Sequence, residues 1–411
     1  MSEETLACPD HPYYRQEDEL LITRDLEVTG RLPCTRTLLP RTERWPTHHI
    51  GGHLGRTRNG TLYALLTGSP AAQRWISEDD GLTWNGEELD RPALGAFAIL
   101  DDDTFLAAAG GGEEPIRILS SPDRGRTWES IPTLSLSPFD AMHVDSNLFQ
   151  LRDGTTMLAA NMRIDPPTGE PFANGHYPQY LFHSSDRGKT WETGIDPEFW
   201  QAVRAGRESI ADEGPEYTWP GPFGTFPGVY ETGFCELDSG LLVGAFRFSG
   251  PPRPWHHRVI AQWGEPPDEP DAHGRIFRHV VLGESPDKGR SWQHLRPILD
   301  AAGTPLMAHG ESNGELVQLP DGRLVLVHQT RYAEGPDRER GYFRGRSQLC
   351  ARVSLDAGQT WLPERYRLLF GFGYSSTLAL EDDTLITAVG ASLGDNGDPR
   401  RGAIIRWRLK D

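Results

Sequence analysis

Apolar residues in this chain come in short bursts, each set off by a tight polar turn. Six of these turns share one pattern: a Leu, then Asp with Gly or a second Asp, then an apolar run. They are LDDDTFLAAAG from Leu100, LRDGTTMLAANMR from Leu151, LDSGLLVGAFRF from Leu237, LPDGRLVLVHQTR from Leu319 and LEDDTLITAVG from Leu380, with TRNGTLYALLTG from Thr57 as a divergent copy. Asp-Gly and Asn-Gly between apolar runs are strong hairpin signals, because these residues accept the left-handed backbone a two-residue turn demands. Each copy predicts one hairpin.

A second repeat is interleaved with the first. SEDDGLTW (Ser77–Trp84), SPDRGRTW (Ser121–Trp128), SSDRGKTW (Ser184–Trp191), SPDKGRSW (Ser285–Trp292) and SLDAGQTW (Ser354–Trp361) all read Ser-x-Asp-x-Gly-x-Thr/Ser-Trp. The Asp carboxylate can accept nearby backbone N–H groups, the Gly suits positive φ, and the Trp returns to an apolar surface. Five of the six hairpins are followed by such an octapeptide. Six units, each with an inner hairpin and most with an outer one, predict an all-β six-bladed β-propeller of four-stranded antiparallel blades. No blade can bury its faces alone, so residues 1–411 are expected to form one domain. Glu19–Leu32 reads as a strand that closes the ring against Ala403–Leu409. Three insertions interrupt the pattern: Glu192–Gly228, with room for a short helix at Glu198–Ile210, then Ser249–Phe277 and Tyr332–Arg346. Loops of this length are expected to rim a binding face.

Composition narrows the partners. The 411 residues carry 41 Lys plus Arg and 59 Asp plus Glu, a formal charge of −18. Such a surface repels nucleic acid and anionic membranes, so neither is an expected partner. The four cysteines, Cys8, Cys34, Cys235 and Cys350, are scattered and form no metal-ligand spacing. The acids at Ser77–Gly81 lack the later ligands of a calcium loop. The expectation is therefore no metal and no cofactor. The N-terminus shows no basic segment followed by an apolar run, which predicts a cytoplasmic protein, or a secreted one if a leader was removed. Oligomeric state is not legible.

The first strand of each blade lines a propeller's central channel, and its head lies six residues before the turn Leu. That register selects Asp145, Glu231, Asn313 and Tyr374 on blades three to six, Leu94 on blade two and Gly51 on blade one, flanked by His49 and His53. Polar and acidic groups there, with Glu311 nearby, predict a pocket that binds something.

The octapeptide resembles the Asp-box (BNR) repeat of sialidases and related β-propellers. YETGFCELDSGLLVGAFR (Tyr230–Arg247) is similar to the sialidase stretch in which a Glu opens an inner strand and an Arg follows on the next. GYSSTLAL (Gly373–Leu380) is similar to the family's Tyr-Ser motif. The resemblance implies Tyr374 as nucleophile, Glu231 as the base that activates it, and Arg247 as one of three arginines that bind a substrate carboxylate, with Arg331 as a further one by position. A neutral Tyr can attack the anomeric carbon of an anionic sugar without the repulsion a carboxylate would meet. The chain departs from the family in blade one. His49 and Ile50 stand near the place of the first Arg, and Thr67–Ile76 contains no acid.

The expected activity is that of an exo-acting glycoside hydrolase on a carbohydrate substrate. Tyr374 and Glu231 form its centre, His49, Asp145 or Glu311 supplies the leaving-group proton, and Arg247, Arg331, His53 and Asn313 contact the sugar. A pocket with more acids than arginines suits a neutral sugar better than sialic acid. Three other chemistries stay open: two carboxylates acting on a neutral sugar, β-elimination from a uronic acid by His and Tyr, and non-catalytic binding of a carbohydrate or protein.

Overall fold

The computed structural model describes residues 18–25, 27–40, 51–67, 71–90, 94–112, 114–134, 141–163, 179–192, 229–250, 277–307, 312–330, 348–371, 373–391 and 401–410. These build an all-β, six-bladed propeller. Strands are counted outward from the axis. Blade one is Gly51–Arg56, Leu62–Thr67, Ala71–Ser77 and Asn85–Asp90, and blade two is Leu94–Ile99, Phe105–Ala109, Ile116–Ser121 and Glu129–Leu134. Blade three is Ala141–Gln150, Thr156–Arg163 and Gln179–Ser184, with Gly111–Gly112 pairing on the other edge of its first strand. Blade four is Val229–Glu236, Leu242–Gly250, Phe277–Ser285 and Gln293–Pro297. Blade five is Ser312–Gln318, Leu324–Thr330, Gln348–Ser354 and Arg365–Phe370, extended by Glu19–Arg24 and Glu27–Pro33. Blade six is Ser375–Ala379, Leu385–Ala391 and Arg401–Trp407, completed by Thr35–Leu38.

Ring closure differs from the sequence expectation. The partner of Arg401–Trp407 is Thr35–Leu38, with Ile405 opposite Arg36. Glu19–Arg24 lies one blade back, against Arg365–Phe370. Burial explains the choice. Leu20, Leu21 and Ile22 are all buried, and Leu20 and Ile22 fill a cluster with Leu349, Leu368 and Trp407 between blades five and six. Arg36 then ties the two segments together, donating to the carbonyls of Leu368 and Glu19. The proposed helix at Glu198–Ile210 and most of the three insertions lie outside the described residues.

The core is a series of layers between blades. Ala96, Leu106, Leu148 and Phe182 fill the gap between blades two and three. Val243, Leu282, Leu316 and Leu326 fill the gap between four and five. Phe149 and Phe234 stack at 5.5 Å between three and four. The six Leu-type turns share one geometry, in which the N–H of Thr57, Leu100, Leu151, Leu237, Leu319 and Leu380 donates to the carbonyl four residues on, at 2.8–3.0 Å. Neighbouring turns are tied side by side. Arg58 N–H donates to Asp103, Asp101 N–H to Gln150, Arg152 N–H to Glu236, and Asp238 N–H to Gln318.

The octapeptides follow the third strand of blades one to five, at the same end as those turns, and in blades one, two, four and five lead toward the fourth. In all five, the Asp carboxylate accepts the Thr or Ser backbone N–H four residues on at 2.5–2.9 Å and its hydroxyl at 2.6–2.7 Å. The Gly N–H donates to the leading Ser hydroxyl at 2.7–2.9 Å. Two consecutive residues are left-handed, as in Arg187 (φ 61) and Gly188 (φ 81). These turns also contact the preceding blade. Lys288 pairs with Asp153, Arg187 with Asp102 at 2.7 Å, and the Trp361 N–H donates to the Leu299 carbonyl at 2.9 Å.

Trp361 is buried at 3 % exposure in the layer between blades four and five. Trp361→Ala should cost about 3–5 kcal/mol, as for other buried aromatics, read from urea unfolding. The Thr83 hydroxyl and amide hold the Asp79 carboxyl down at about 2, against 3.8 for a free side chain. A depressed carboxyl stabilises the fold above its unfolded pKa, and that contribution goes as pH falls through the folded value. The melting temperature should therefore drop between about pH 4 and about pH 2. Asp79→Asn should start less stable at neutral pH and lose less over that interval.

Candidate active site

The strand heads that define the channel are irregular. The pairing of first and second strands slips between Leu94 and Ala96 in blade two, Val144 and Leu148 in blade three, Tyr230 and Gly233 in blade four, and Ser312 and Glu315 in blade five. Each slip falls at or next to the position six residues before the turn Leu. Glu231 and Asn313 sit in these bulges with φ of 49° and 56°, a left-handed backbone uncommon outside glycine. A bulge re-aims one side chain out of the strand's alternation, here toward the axis.

The result is a cavity lined by Asn147, Glu231, Asn313, Glu315, Tyr374 and Ser375, with Gly233, Gly314 and Ser376 completing its wall. The Tyr374 hydroxyl donates to Glu231 Oε1 at 2.7 Å. Arg247, from the second strand of blade four, forms an ion pair with the other Glu231 oxygen. Its Nη1 also donates to Asn313 Oδ1 at 3.4 Å. The Glu231 and Arg247 side chains are 13 % and 9 % exposed, so this pair works in a weakly screened setting. An ion pair requires the ionised carboxylate, and an ionised carboxylate is what can take a phenolic proton.

Tyr374 is fixed through its backbone. Its carbonyl accepts the Gly52 N–H at 3.0 Å, and the neighbouring Gly373 carbonyl accepts Gln329 Nε2. Blades one, five and six therefore all bear on this residue. Beneath Glu231 and Asn313, blades four and five touch through glycine. A Cβ on Gly233 would collide with the Gly314 carbonyl oxygen.

The structure thus brings together Tyr374, Glu231, Arg247 and Asn313. His53 lies elsewhere. It is 2 % exposed, with its Nε2 at 3.5 Å from the Thr67 hydroxyl. Burial pushes its imidazole down to about 4, so it is neutral at physiological pH. Asp145 falls within the blade-three bulge. The Asp145 side chain lies outside the described residues, as do His49, Glu311 and Arg331.

Six residues of the cavity were not among the site residues expected from the sequence: Asn147, Gly233, Gly314, Glu315, Ser375 and Ser376, of which Ser375 is the serine of the Tyr-Ser motif. Asn147 donates across the blade gap to the Thr232 carbonyl. Glu315 accepts the Thr377 N–H on Oε1 at 2.5 Å, and its Oε2 lies 3.4 Å from Ser375 Oγ. Desolvation by burial pushes the Glu315 carboxyl up to about 8, against the opposing hydrogen bonds from Thr377 and Ser375. The residue as a whole keeps some surface on the cavity, while its carboxyl is enclosed by protein. An acid two residues beyond Asn313 on an apolar strand was the available signal. Among the described residues, no cluster of His, Cys, Asp and Glu is arranged to hold a metal ion.

No family model and no curated protein sequence matches this chain. Solved structures do. The α-L-arabinanase of Penicillium chrysogenum, complexed with arabinobiose, aligns over 92 % of this chain and 99 % of its own, at 13 % identity and a TM-score of 0.54. The α-L-arabinofuranosidase Arb93A of Fusarium graminearum, in complex with an iminosugar inhibitor, aligns over 92 % and 97 %, at 15 % identity and a TM-score of 0.56. At this identity the likeness is one of fold. The chain is a six-bladed propeller whose structural neighbours include carbohydrate-active enzymes.

Gly233→Ala should force the heads of blades four and five apart, because the obstructing atom is backbone. We expect lower thermal stability and loss of the ligand-binding or catalytic property of the cavity, measured by calorimetry alongside the activity assay below. Gly240→Ala has open space around its Cβ but keeps the left-handed strain at φ 81. It should cost stability alone.

Proposed function

We propose that this protein is an exo-acting glycoside hydrolase in which Tyr374 is the nucleophile and Glu231 its base. The observation that carries the reading is the 2.7 Å hydrogen bond from the Tyr374 hydroxyl to a Glu231 carboxylate that Arg247 holds from the other side. A phenol is a poor nucleophile until its proton has somewhere to go. As the phenolic oxygen bonds to the anomeric carbon, the bond to the leaving oxygen breaks and the phenolic proton passes to Glu231. The leaving oxygen takes its proton from a second acid. Water then attacks the anomeric carbon and gives its proton to that second acid, now a base; the carbon–tyrosine bond breaks and Glu231 returns its proton to the phenol.

The substrate is a neutral or weakly charged terminal sugar. Arg247 is engaged by Glu231 and Asn313, so it is not free to grip a substrate carboxylate. Selecting a planar anion ordinarily takes several arginines. Elimination by a His and Tyr pair has less support, because His53 is buried and does not line the cavity with Tyr374.

Tyr374→Phe should abolish turnover with the melting temperature unchanged, since only the phenolic oxygen is removed. Glu231→Gln should lower kcat by about 10²–10⁴-fold, the usual contribution of a general base. Neutral aryl glycosides, arabinofuranosides included, should be cleaved faster than a fluorogenic sialoside across pH 5 to 8. A fluorinated sugar adduct mapped to Tyr374 by mass spectrometry would support the nucleophile. An adduct on a carboxylate, or full activity in Tyr374→Phe, would overturn it.

A further inference from the structure

Glu315 lines the cavity with its carboxyl enclosed by protein, and the proposed reaction does not use it. It stands on the first strand of blade five and reaches across to the first strand of blade six, where it meets Ser375 and Thr377. Ser375 follows Tyr374 directly, and Thr377 lies two residues further on. The Tyr374 carbonyl also accepts the N–H groups of Gly52 and Gly390, and Gly373 before it is held by Gln329. Glu315 helps fasten the other end of this short segment.

We propose that Glu315 is a positioning residue for Tyr374, acting as a neutral carboxylic acid that fastens Ser375 and Thr377 and so fixes where the phenol meets Glu231. The proposal rests on the reading of Tyr374 as nucleophile. In the neutral acid, one oxygen accepts the Thr377 N–H and the protonated oxygen donates to Ser375 Oγ. The Ser375 hydroxyl hydrogen is then left to point into the cavity, toward a sugar hydroxyl. In the ionised form both oxygens only accept. The Ser375 hydrogen must turn to Glu315, and the cavity loses a donor.

The surroundings favour the neutral form. On the strands packed against Glu315's own, the titratable groups toward the cavity are Glu231 and Arg247, which neutralise one another. Behind them stand His279, which contacts the Met307 carbonyl, and His328, which is fully buried. Further along, Glu236 accepts the Arg152 N–H, and Glu284 is held by His294 and Arg296. The blade-six strand contributes Tyr374 at its head and no charge. The groups that hold the Glu315 carboxyl, Thr377 and Ser375, are both neutral, and burial is what raises it.

The sign of the pH dependence follows. The folded value of about 8 lies above the unfolded 4.5. Stability tied to the neutral form is complete below the unfolded value and is lost as pH rises through the folded one. Gln is the neutral isostere: its oxygen can accept from Thr377 and its amide can donate to Ser375. Between pH 4 and pH 9, the melting temperature of Glu315→Gln should therefore gain steadily on the wild type up to about pH 8, then run parallel to it.

Two further measurements complete the test. With 4-fluorophenylalanine at position 374, the fluorine resonance should move with a midpoint near that of Glu315 and stay fixed once Glu315→Gln is added. On the glycoside best cleaved in the panel above, Glu315→Gln should keep kcat near the wild-type value at pH 6 and extend the alkaline limb. Glu315→Ala should lower kcat by about 10–10²-fold at every pH, the effect of a misplaced reacting group. A constant stability gap, a fluorine signal that does not titrate, or a Gln variant as impaired as the Ala variant would each overturn the proposal. If no glycoside is cleaved, the hydrolase reading fails, while the stability and fluorine measurements still decide the state of Glu315.

Discussion

Each blade of this protein is a twisted sheet with two apolar faces, and neither face can be covered except by another blade. Every residue of Leu324–Thr330 and of Gln348–Ser354 is buried, on both faces of the sheet. A lone four-stranded sheet of this kind would expose both faces to water. The ring must therefore close, and it closes through the N-terminal segment, where Thr35–Leu38 completes blade six and Glu19–Arg24 seals blade five. Closure couples all six layers, so stability is a property of the ring. The octapeptide turns serve the same end. Each fixes its own loop with an Asp and reaches back to the blade before it.

Closure also creates the problem that the central cavity solves. Six first strands converge on one axis, where there is no room for six ordinary side chains and no neighbouring blade to pack against. The strands respond with glycine contacts, such as Gly233 on Gly314, and with bulges that turn selected side chains inward. Left-handed Glu231 and Asn313 carry local strain of about 1–3 kcal/mol each. The interblade packing holds them there. Burying Glu231 is tolerable because Arg247 is buried with it. Removing Arg247 alone would strand a carboxylate, which is worse than never having had the pair.

Much of this was legible in the sequence, and the reason is repetition. Six copies of one turn and five of another fix the blade count, because each copy has to occupy an equivalent place. Register then carried Glu231, Asn313 and Tyr374 to the same height, and Arg247 followed from its place on the neighbouring strand. What register cannot give is the behaviour of a bulge. Asn147 and Glu315 lie just past the slipped positions, where simple alternation no longer says which way a side chain points. His53 drew attention as a histidine close to the blade-one strand head, but that strand pairs without a slip and His53 is buried beside Thr67. Ring closure was placed one strand too early, because it is the burial of Leu20, Leu21 and Ile22 that seats Glu19–Arg24 against blade five and leaves Thr35–Leu38 to complete blade six.

A symmetric scaffold here delivers an asymmetric site. The six equivalent positions at the strand heads hold Gly51, Leu94, Asp145, Glu231, Asn313 and Tyr374, six different residues. The structural neighbours share the scaffold at 13 % and 15 % identity, and that scaffold alone does not choose a chemistry. The choice lies in which side chain each blade contributes at the axis. Blade six offers a phenol and blade four a carboxylate with its own arginine. Blade five offers an amide that Arg247 can reach and a second acid whose ionisation burial opposes. Glu231 and Arg247 neutralise one another, and Glu315 adds no charge while protonated. Among the described residues, the cavity therefore presents hydrogen-bonding groups in a nearly neutral field, although the chain as a whole carries −18. Under the hydrolase proposed above, that contrast suits a pocket that recognises hydroxyl groups rather than charge.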